Sequence, residues 1–196
     1  MKEDILSLLS ISGDKIICLS EHLVQWMADN DVPPIILKEM KESYLFYEKG
    51  YQKMSTIMPD PIIRAGIFQK ELDRIVKHEL GQHTPSCKPG CSYCCTITVA
   101  TTKDEKELID LFVKQKNLTL NQTPKKCLYL KDNLCQIYEV RPGACRKYFS
   151  IGDPETCNLD IDPDAIVLKP MLIEAEICWS AAGNVNGLVE VHKLEK

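Results

Sequence analysis

No part of this 196-residue sequence approaches the roughly 20 consecutive apolar residues that a membrane-spanning helix needs. The opening residues carry Glu3, Asp4, Asp14 and Lys15, and no apolar run of signal-peptide quality follows a basic start. The expectation is therefore a cytoplasmic chain with no membrane partner. A basic excess is missing as well. The formal net charge is −4, which argues against a general nucleic-acid or anionic-membrane binder, since either would need a basic face. Internal repeats, low-complexity tracts and a glycine-rich loop after a strand are also absent, the last removing the usual sign of a methyl-donor or nucleotide site. No Ser/His/Asp or paired-carboxylate constellation stands out, so hydrolase chemistry is disfavoured and no catalytic residue is named. The acidic run Asp160, Asp162, Asp164 resembles half a calcium loop. It lacks the rest: Ala165 replaces the required glycine and Met171 the closing glutamate.

What the chain has in excess is cysteine. Ten in 196 residues is high for a reducing compartment, where structural disulfides are not expected, and the uneven placement favours metal. Residues 1–86 hold only Cys18, residues 87–157 hold eight, and Cys178 stands alone. Cys18 and Cys178 read as small buried hydrophobes.

The first part reads as helices. Residues 14–29 place Ile16, Leu23, Val24 and Met27 on one face before Pro33 and Pro34 break the chain. Leu37, Met40, Tyr44, Tyr47, Tyr51, Met54 and Met58 then recur at spacings of three and four, a helical seam that packs on its neighbours or meets a protein partner. Next, Asp60 can cap a helix with Pro61 at its first position and Gly81 just past its end. Ile63, Ile67, Phe68, Leu72, Ile75, Val76 and Leu80 are its expected apolar face. Further on, Ile97 and Val99 suggest a short extended piece. Thr102 with Glu105 makes a capping box for a helix to about Lys116, with Leu108, Ile109 and Phe112 inward. Residues 127–138 read as a hairpin, Arg141-Pro142 as the start of a short helix through Phe149, residues 171–181 as a helix and 188–194 as a strand.

Cys87, Cys91, Cys94 and Cys95 fall within nine residues. Thiolates so spaced on a tight turn can converge on one ion, with Pro89 and Gly90 supplying the bend and Lys88 a positive potential. Adjacent side chains tend to diverge, so both Cys94 and Cys95 binding one ion is geometrically awkward without being impossible; the other arrangement has one on a first centre and its neighbour facing a second centre or the core. Cys127, Cys135, Cys145 and Cys157 supply four more thiols: two tetrahedral sites, or one cluster plus one closed site. A three-residue hairpin loop would put Cys127 and Cys135 on one face and a two-residue loop on opposite faces. Cys145 sits where free N–H groups at a helix start favour a thiolate, aided by Arg141 and Arg146, which could equally pair with Glu139. His83 can be a ligand or simply exposed; His22, His78 and His192 look ordinary.

The run Cys87, Cys91, Cys94-Cys95, followed by Cys127 and then Cys135-Gln-Ile-Tyr138-Glu-Val-Arg141-Pro142-Gly-Ala-Cys145-Arg146, resembles the bacterial zinc- or iron-chelating cysteine-cluster family (CxxCxxxxCC type). The second element, similar to C-x-I-Y-x-x-R-P-x-x-C-R, is present in full, and the resemblance spans about residues 83–160. It implies a metal set of Cys87, Cys91, Cys94, Cys95, Cys127, Cys135, Cys145 and Cys157, with Tyr138, Arg141 and Arg146 as cofactor-binding partners of the motif. The implied occupant is zinc or iron, including a 4Fe-4S cluster. A similar cysteine cluster in the flagellin lysine N-methylase makes an iron–sulfur enzyme or electron carrier the alternative to a plain metal-binding protein.

The expected fold is mainly α, with an α+β element. A helical scaffold over residues 1–82 leads to an irregular cysteine-rich metal-binding module with a small β-hairpin over 83–160. A C-terminal extension over 161–196 packs on that module.

Overall fold

The structure, a computed structural model, describes residues 10–11, 15–16, 27, 29–85, 87–151 and 172–192. Among these residues it is mainly helical, with three two-stranded sheets. Strands β1 (Ser10–Ile11) and β2 (Lys15–Ile16) pair antiparallel, so the helix expected over 14–29 does not begin where the apolar spacing placed it. Leu23, Val24, Cys18 and His22 lie outside the described residues, whereas Met27 is fully buried.

Helix α1 (Pro34–Ile57) begins on the Pro33-Pro34 pair and ends at Met58, which is extended because Pro59 follows it. The seam is inward over Leu37, Met40, Tyr44 and Tyr51, with Tyr47 and Met54 packed at its edge. Helix α2 (Pro61–Leu80) starts as expected: Asp60 Oδ1 accepts the N–H groups of Ile62 at 2.8 Å and Ile63 at 3.4 Å. It ends at Gly81, whose φ of 56° is reached without the penalty a Cβ would bring. Its buried face is Ala65, Phe68, Gln69, Leu72, Ile75, Val76 and Leu80. Ile63 and Ile67 were expected inward and instead point out, 54% and 40% exposed, because the face has rotated to take in Ala65 and Gln69.

Strand β3 (Val99–Thr102) runs into helix α3 (Lys103–Lys116) through the expected capping box, and Asn117 closes the helix in the left-handed region. Ile109 is fully buried, and Leu108 and Phe112 are half-buried. Strands β4 (Leu130–Lys131) and β5 (Leu134–Cys135) form the hairpin. Its loop is the two-residue one, Asp132-Asn133, with φ of 50° and 58° as a primed turn requires. A 3₁₀ turn over Tyr138–Val140 leads to helix α4 (Gly143–Arg146), shorter than expected: it stops at Arg146 rather than Phe149. Helix α5 (Ile173–Asn186) and strand β6 (Leu188–His192) complete the described chain.

Among the described residues two apolar cores stand out. One, between α1, α2 and α5, contains Tyr51, Phe68, Leu72, Ile75, Val76, Ala175, Cys178 and Ala182. Burying each of the larger aliphatic or aromatic side chains contributes about 1.5–3 kcal/mol. The other, around α3 and the two small sheets, contains Val99, Ile109, Tyr129, Ile137 and Val191, with Cys127, Cys135 and Cys145 at its margin. The tail spans both, since α5 packs on α1 and α2 while β6 pairs with β3. Glu79 caps α5, accepting the N–H groups of Glu174 at 2.8 Å and Ala175 at 2.9 Å. Arg64 of α2 forks onto Asp104 of α3 at 2.6 and 2.7 Å. No described helix is long and apolar enough to cross a membrane.

Candidate metal centre

The cysteine-rich turn is built as its residues dictate. Cys91 N–H donates to Lys88 O at 2.9 Å across Pro89 and Gly90, and Gly90 has a φ of 91°. This is the pattern of a turn with proline second and a positive-φ residue third. A 3₁₀ turn (Tyr93–Thr96) follows, closed by Cys95 N–H to Ser92 O at 2.9 Å. In this turn the thiols of Cys94 and Cys95 hydrogen-bond each other. The expected divergence of these two neighbours is therefore not seen.

Cys127 is brought alongside by the backbone, its N–H donating to Cys95 O at 2.8 Å. It lies before β4, in a turn closed by Leu130 N–H to Cys127 O at 3.0 Å, so strand parity does not govern its direction. That is why a two-residue hairpin loop still leaves Cys127 and Cys135 within each other's electrostatic reach. Each of these two sulfurs also receives the backbone N–H two residues further on, from Tyr129 and Ile137 respectively. Cys145 completes the group from α4, feeling the charges of Cys94, Cys127 and Cys135. The structure thus gathers Cys94, Cys95, Cys127, Cys135 and Cys145.

The electrostatics fit a cation. Burial pushes the Cys145 thiol up to about 12 and raises those of Cys127 and Cys135; for Cys95 the hydrogen bond with Cys94 raises it first and burial second. Mutual repulsion adds to the shift in each case, so several thiols this close stay protonated unless a positive charge joins them. The N–H donors to Cys127 and Cys135 act the other way and favour the charged sulfur. The N–H of Cys145 itself is bonded to Pro142 O at 2.9 Å, so it is not a free donor to a sulfur.

Arg141 opposes the repulsion, lowering both Cys135 and Cys145. Its guanidinium lies 4.1 Å from the centre of the Tyr138 ring, which is itself 62% exposed. Arg146 behaves differently from the expectation. It is buried and pairs with Asp73 at 2.5 Å, Gln69 Oε1 at 2.9 Å, and the carbonyls of Glu139 at 2.7 Å and Arg141 at 2.9 Å. It holds the loop together from behind, facing away from any role beside the sulfurs.

The remaining candidates are placed elsewhere. Cys87 is exposed, and its sulfur accepts the Ser150 N–H at 3.5 Å. Cys91 is half-buried, and His83 and His78 are exposed. Cys178 is buried in the helical core, as expected of an apolar cysteine. Cys157 and the acidic run Asp160, Asp162, Asp164 lie outside the described residues, as does the His192 side chain.

All eight described cysteines are free thiols. Among the described residues, no three His, Cys, Asp or Glu side chains already stand in an arrangement that could hold an ion. The fit to a metal therefore rests on the chemistry of the donor set, soft sulfurs with N–H donors, and on one orphaned atom. Arg141 Nε is buried and has no partner among the described residues. Sequence reasoning missed Gln69, Asp73 and Ser150. The one available signal was a glutamine inside the otherwise apolar face of α2.

No curated protein and no solved structure matches the chain. Residues 86–177 match the family model CxxCxxCC, whose description is "Putative zinc- or iron-chelating domain". The match begins at the cysteine-rich turn, contains all five gathered cysteines and ends within α5. Residues 86–177, a little under half of the chain, are thus similar to the CxxCxxCC family.

Proposed function

We propose that this is a metal-chelating protein whose zinc or iron centre is held by four thiolates drawn from Cys94, Cys95, Cys127, Cys135 and Cys145. Cys91, Cys87 and Cys157 are the reserve from which a second site would be completed. The observation that carries this reading is the paired arrangement at Cys127 and Cys135. Each sulfur accepts the N–H two residues on, and both lie among three more thiols. A bare packing role for cysteine needs no such donors, whereas a ligating thiolate does. The centre's role is structural: it closes the loop-rich half of the molecule, whose own apolar core is small. Bound zinc supplies folding free energy without redox chemistry, and an iron–sulfur cluster supplies one-electron chemistry.

The test is anaerobic purification of the full chain followed by metal, acid-labile sulfide and thiol analysis. Zinc or iron near a whole-number ratio is expected, with loss of metal in Cys135→Ser and Cys145→Ser. Colourless zinc protein supports the structural centre. Brown protein with labile sulfide turns the reading to an iron–sulfur enzyme or electron carrier. Reduced protein that takes up neither metal overturns chelation altogether.

A further inference from the structure

Arg141 is fixed unusually well for an arginine beside exposed surface. Pro142 restricts it to an extended backbone, with φ −56° and ψ 146°. Its carbonyl is held from behind by Arg146 Nε at 2.9 Å and Gln69 Nε2 at 3.2 Å. Its guanidinium rests on the Tyr138 ring at 4.1 Å. Backbone, carbonyl and side chain are thus all constrained, yet the buried Nε–H donates to nothing among the described residues. A cationic donor left buried and unpaired is costly, and proteins seldom keep one without an acceptor to come. Groups of the right kind are the sulfurs of Cys135 and Cys145, which pack against the same small core as Val140 and Ala144 on either side of the Arg141-Pro142 step, and its positive field acts on both.

An acceptor appears there once metal binds. A divalent ion with four thiolates carries a net charge of about −2, and such a centre needs a nearby cation and N–H donors to its sulfurs. Backbone N–H groups already serve Cys127 and Cys135. We propose that Arg141 is the charge-compensating positioning residue of the thiolate centre, its buried Nε–H donating to a metal-bound sulfur of Cys135 or Cys145. Tyr138 is then the platform that keeps the guanidinium in place, which gives the Tyr-x-x-Arg-Pro segment of the motif a physical role. This inference rests on the chelation reading and adds a residue that is not itself a ligand. Lysine would keep the charge but could not lie flat on the ring and offer a side-on N–H.

Cobalt(II) and zinc binding to the reduced full chain tests it, comparing the wild type with Arg141→Met, Arg141→Lys and Tyr138→Leu. Affinity comes from competition with a chelator, and the sulfur-to-cobalt charge-transfer band reports on the sulfurs directly. Arg141→Met is expected to bind about 10–100-fold more weakly, with that band moved to lower energy. Its metal-free chain should unfold at the wild-type temperature. Arg141→Lys should recover part of the affinity but leave the band displaced, and Tyr138→Leu should fall between. Wild-type affinity with an unmoved band in Arg141→Met overturns the inference while leaving chelation standing. So does a loss of metal-free stability as large as the loss in binding, which would make Arg141 merely structural. A wild-type chain that takes up neither ion removes the chelation reading itself.

Discussion

Glu105 Oε1 accepts the backbone N–H of Gly143 at 2.7 Å, joining the first turn of α3 to the start of α4. The same carboxylate closes the capping box through its other oxygen, which accepts from Thr101 Oγ1 at 3.2 Å, Thr102 N at 3.2 Å and Thr102 Oγ1 at 3.0 Å. Gln69 Nε2 reaches it from α2 at 3.2 Å. Gln69 in turn receives Arg146, which also pairs with Asp73. A chain of buried polar groups therefore runs from the helical half to the loop carrying Arg141 and Cys145. This is how the scaffold positions the candidate metal centre.

Glu105→Ala should accordingly destabilise the metal-free protein by about 3–5 kcal/mol, since it strands several buried donors as well as removing a cap. Glu105→Gln keeps the shape and one acceptor oxygen, so it should lose roughly half as much. Urea unfolding measures both, with Glu107→Ala on the exposed side of the same helix as the control. A Glu105→Ala midpoint equal to that of the control would show that the network does not hold the two halves together.

Glycine offers a paired comparison. A Cβ on Gly143 would come within 2.7 Å of Trp179 Cδ1 and 2.8 Å of Leu72 Cδ2, so α4 lies against the helical core only because that side chain is missing. Gly143→Ala should cost about 1–3 kcal/mol through forced repacking. Gly66, inside α2, has nothing within 4 Å of the corresponding position, and Gly66→Ala should stabilise by about 0.5–1 kcal/mol. Thermal unfolding of the two variants should move in opposite directions; movement in the same direction would refute the packing argument.

The helical half was legible where its signals were local. Asp60-Pro61 and the Thr102/Glu105 box act through bonds within a few residues, and each is found where the sequence put it, whereas the hairpin was placed but the choice between its two-residue and three-residue loops was left open. Ile63 and Ile67 were misplaced because a 3.6-residue period fixes a stripe but not which edge of it meets the neighbouring helix. The cysteine grouping shows the same limit from the other side. Five of the eight were brought together, yet the reasons lie in contacts no spacing encodes: Cys127 N–H on Cys95 O, and a turn that frees Cys127 from hairpin parity. Arg141 and Arg146 looked alike in the motif. Only the tertiary structure separates them, one acting through its charge on Cys135 and the other turned back onto Asp73 and Gln69.

The tie between α2 and α3 gives a further test. Asp104 is 3% exposed at its side chain and its two oxygens take the Arg64 fork, while Tyr51 Oη donates to one of them at 3.4 Å. Arg64→Ala leaves that carboxylate buried without its cation and should cost about 3–5 kcal/mol. Arg74 makes an equally short pair with Glu71, at 2.7 Å, but on open surface, and Arg74→Ala should leave the unfolding midpoint where it was. Chemical denaturation of the two variants decides whether burial, rather than pair geometry, sets the value of these bridges.

Cys178 separates packing from chelation through pH. It is 4% exposed, and burial, its largest influence, pushes the thiol from an ordinary 9.0 up to about 12, so the folded chain holds a proton that the unfolded chain gives up first. Its contribution to stability is therefore fully present below pH 9 and is lost as pH rises from 9 toward 12. The slope for one such group is about 1.4 kcal/mol per pH unit. Cys178→Ala removes this titration. The variant should be less stable than the wild type at pH 7, because a buried sulfur is lost, and the gap should narrow steadily above pH 9. Its zinc or iron content should match the wild type throughout, whereas Cys145→Ser should release metal at neutral pH. A constant gap between pH 8 and 11 would place Cys178 in contact with solvent, and a change in its metal content would bring it into the coordination set.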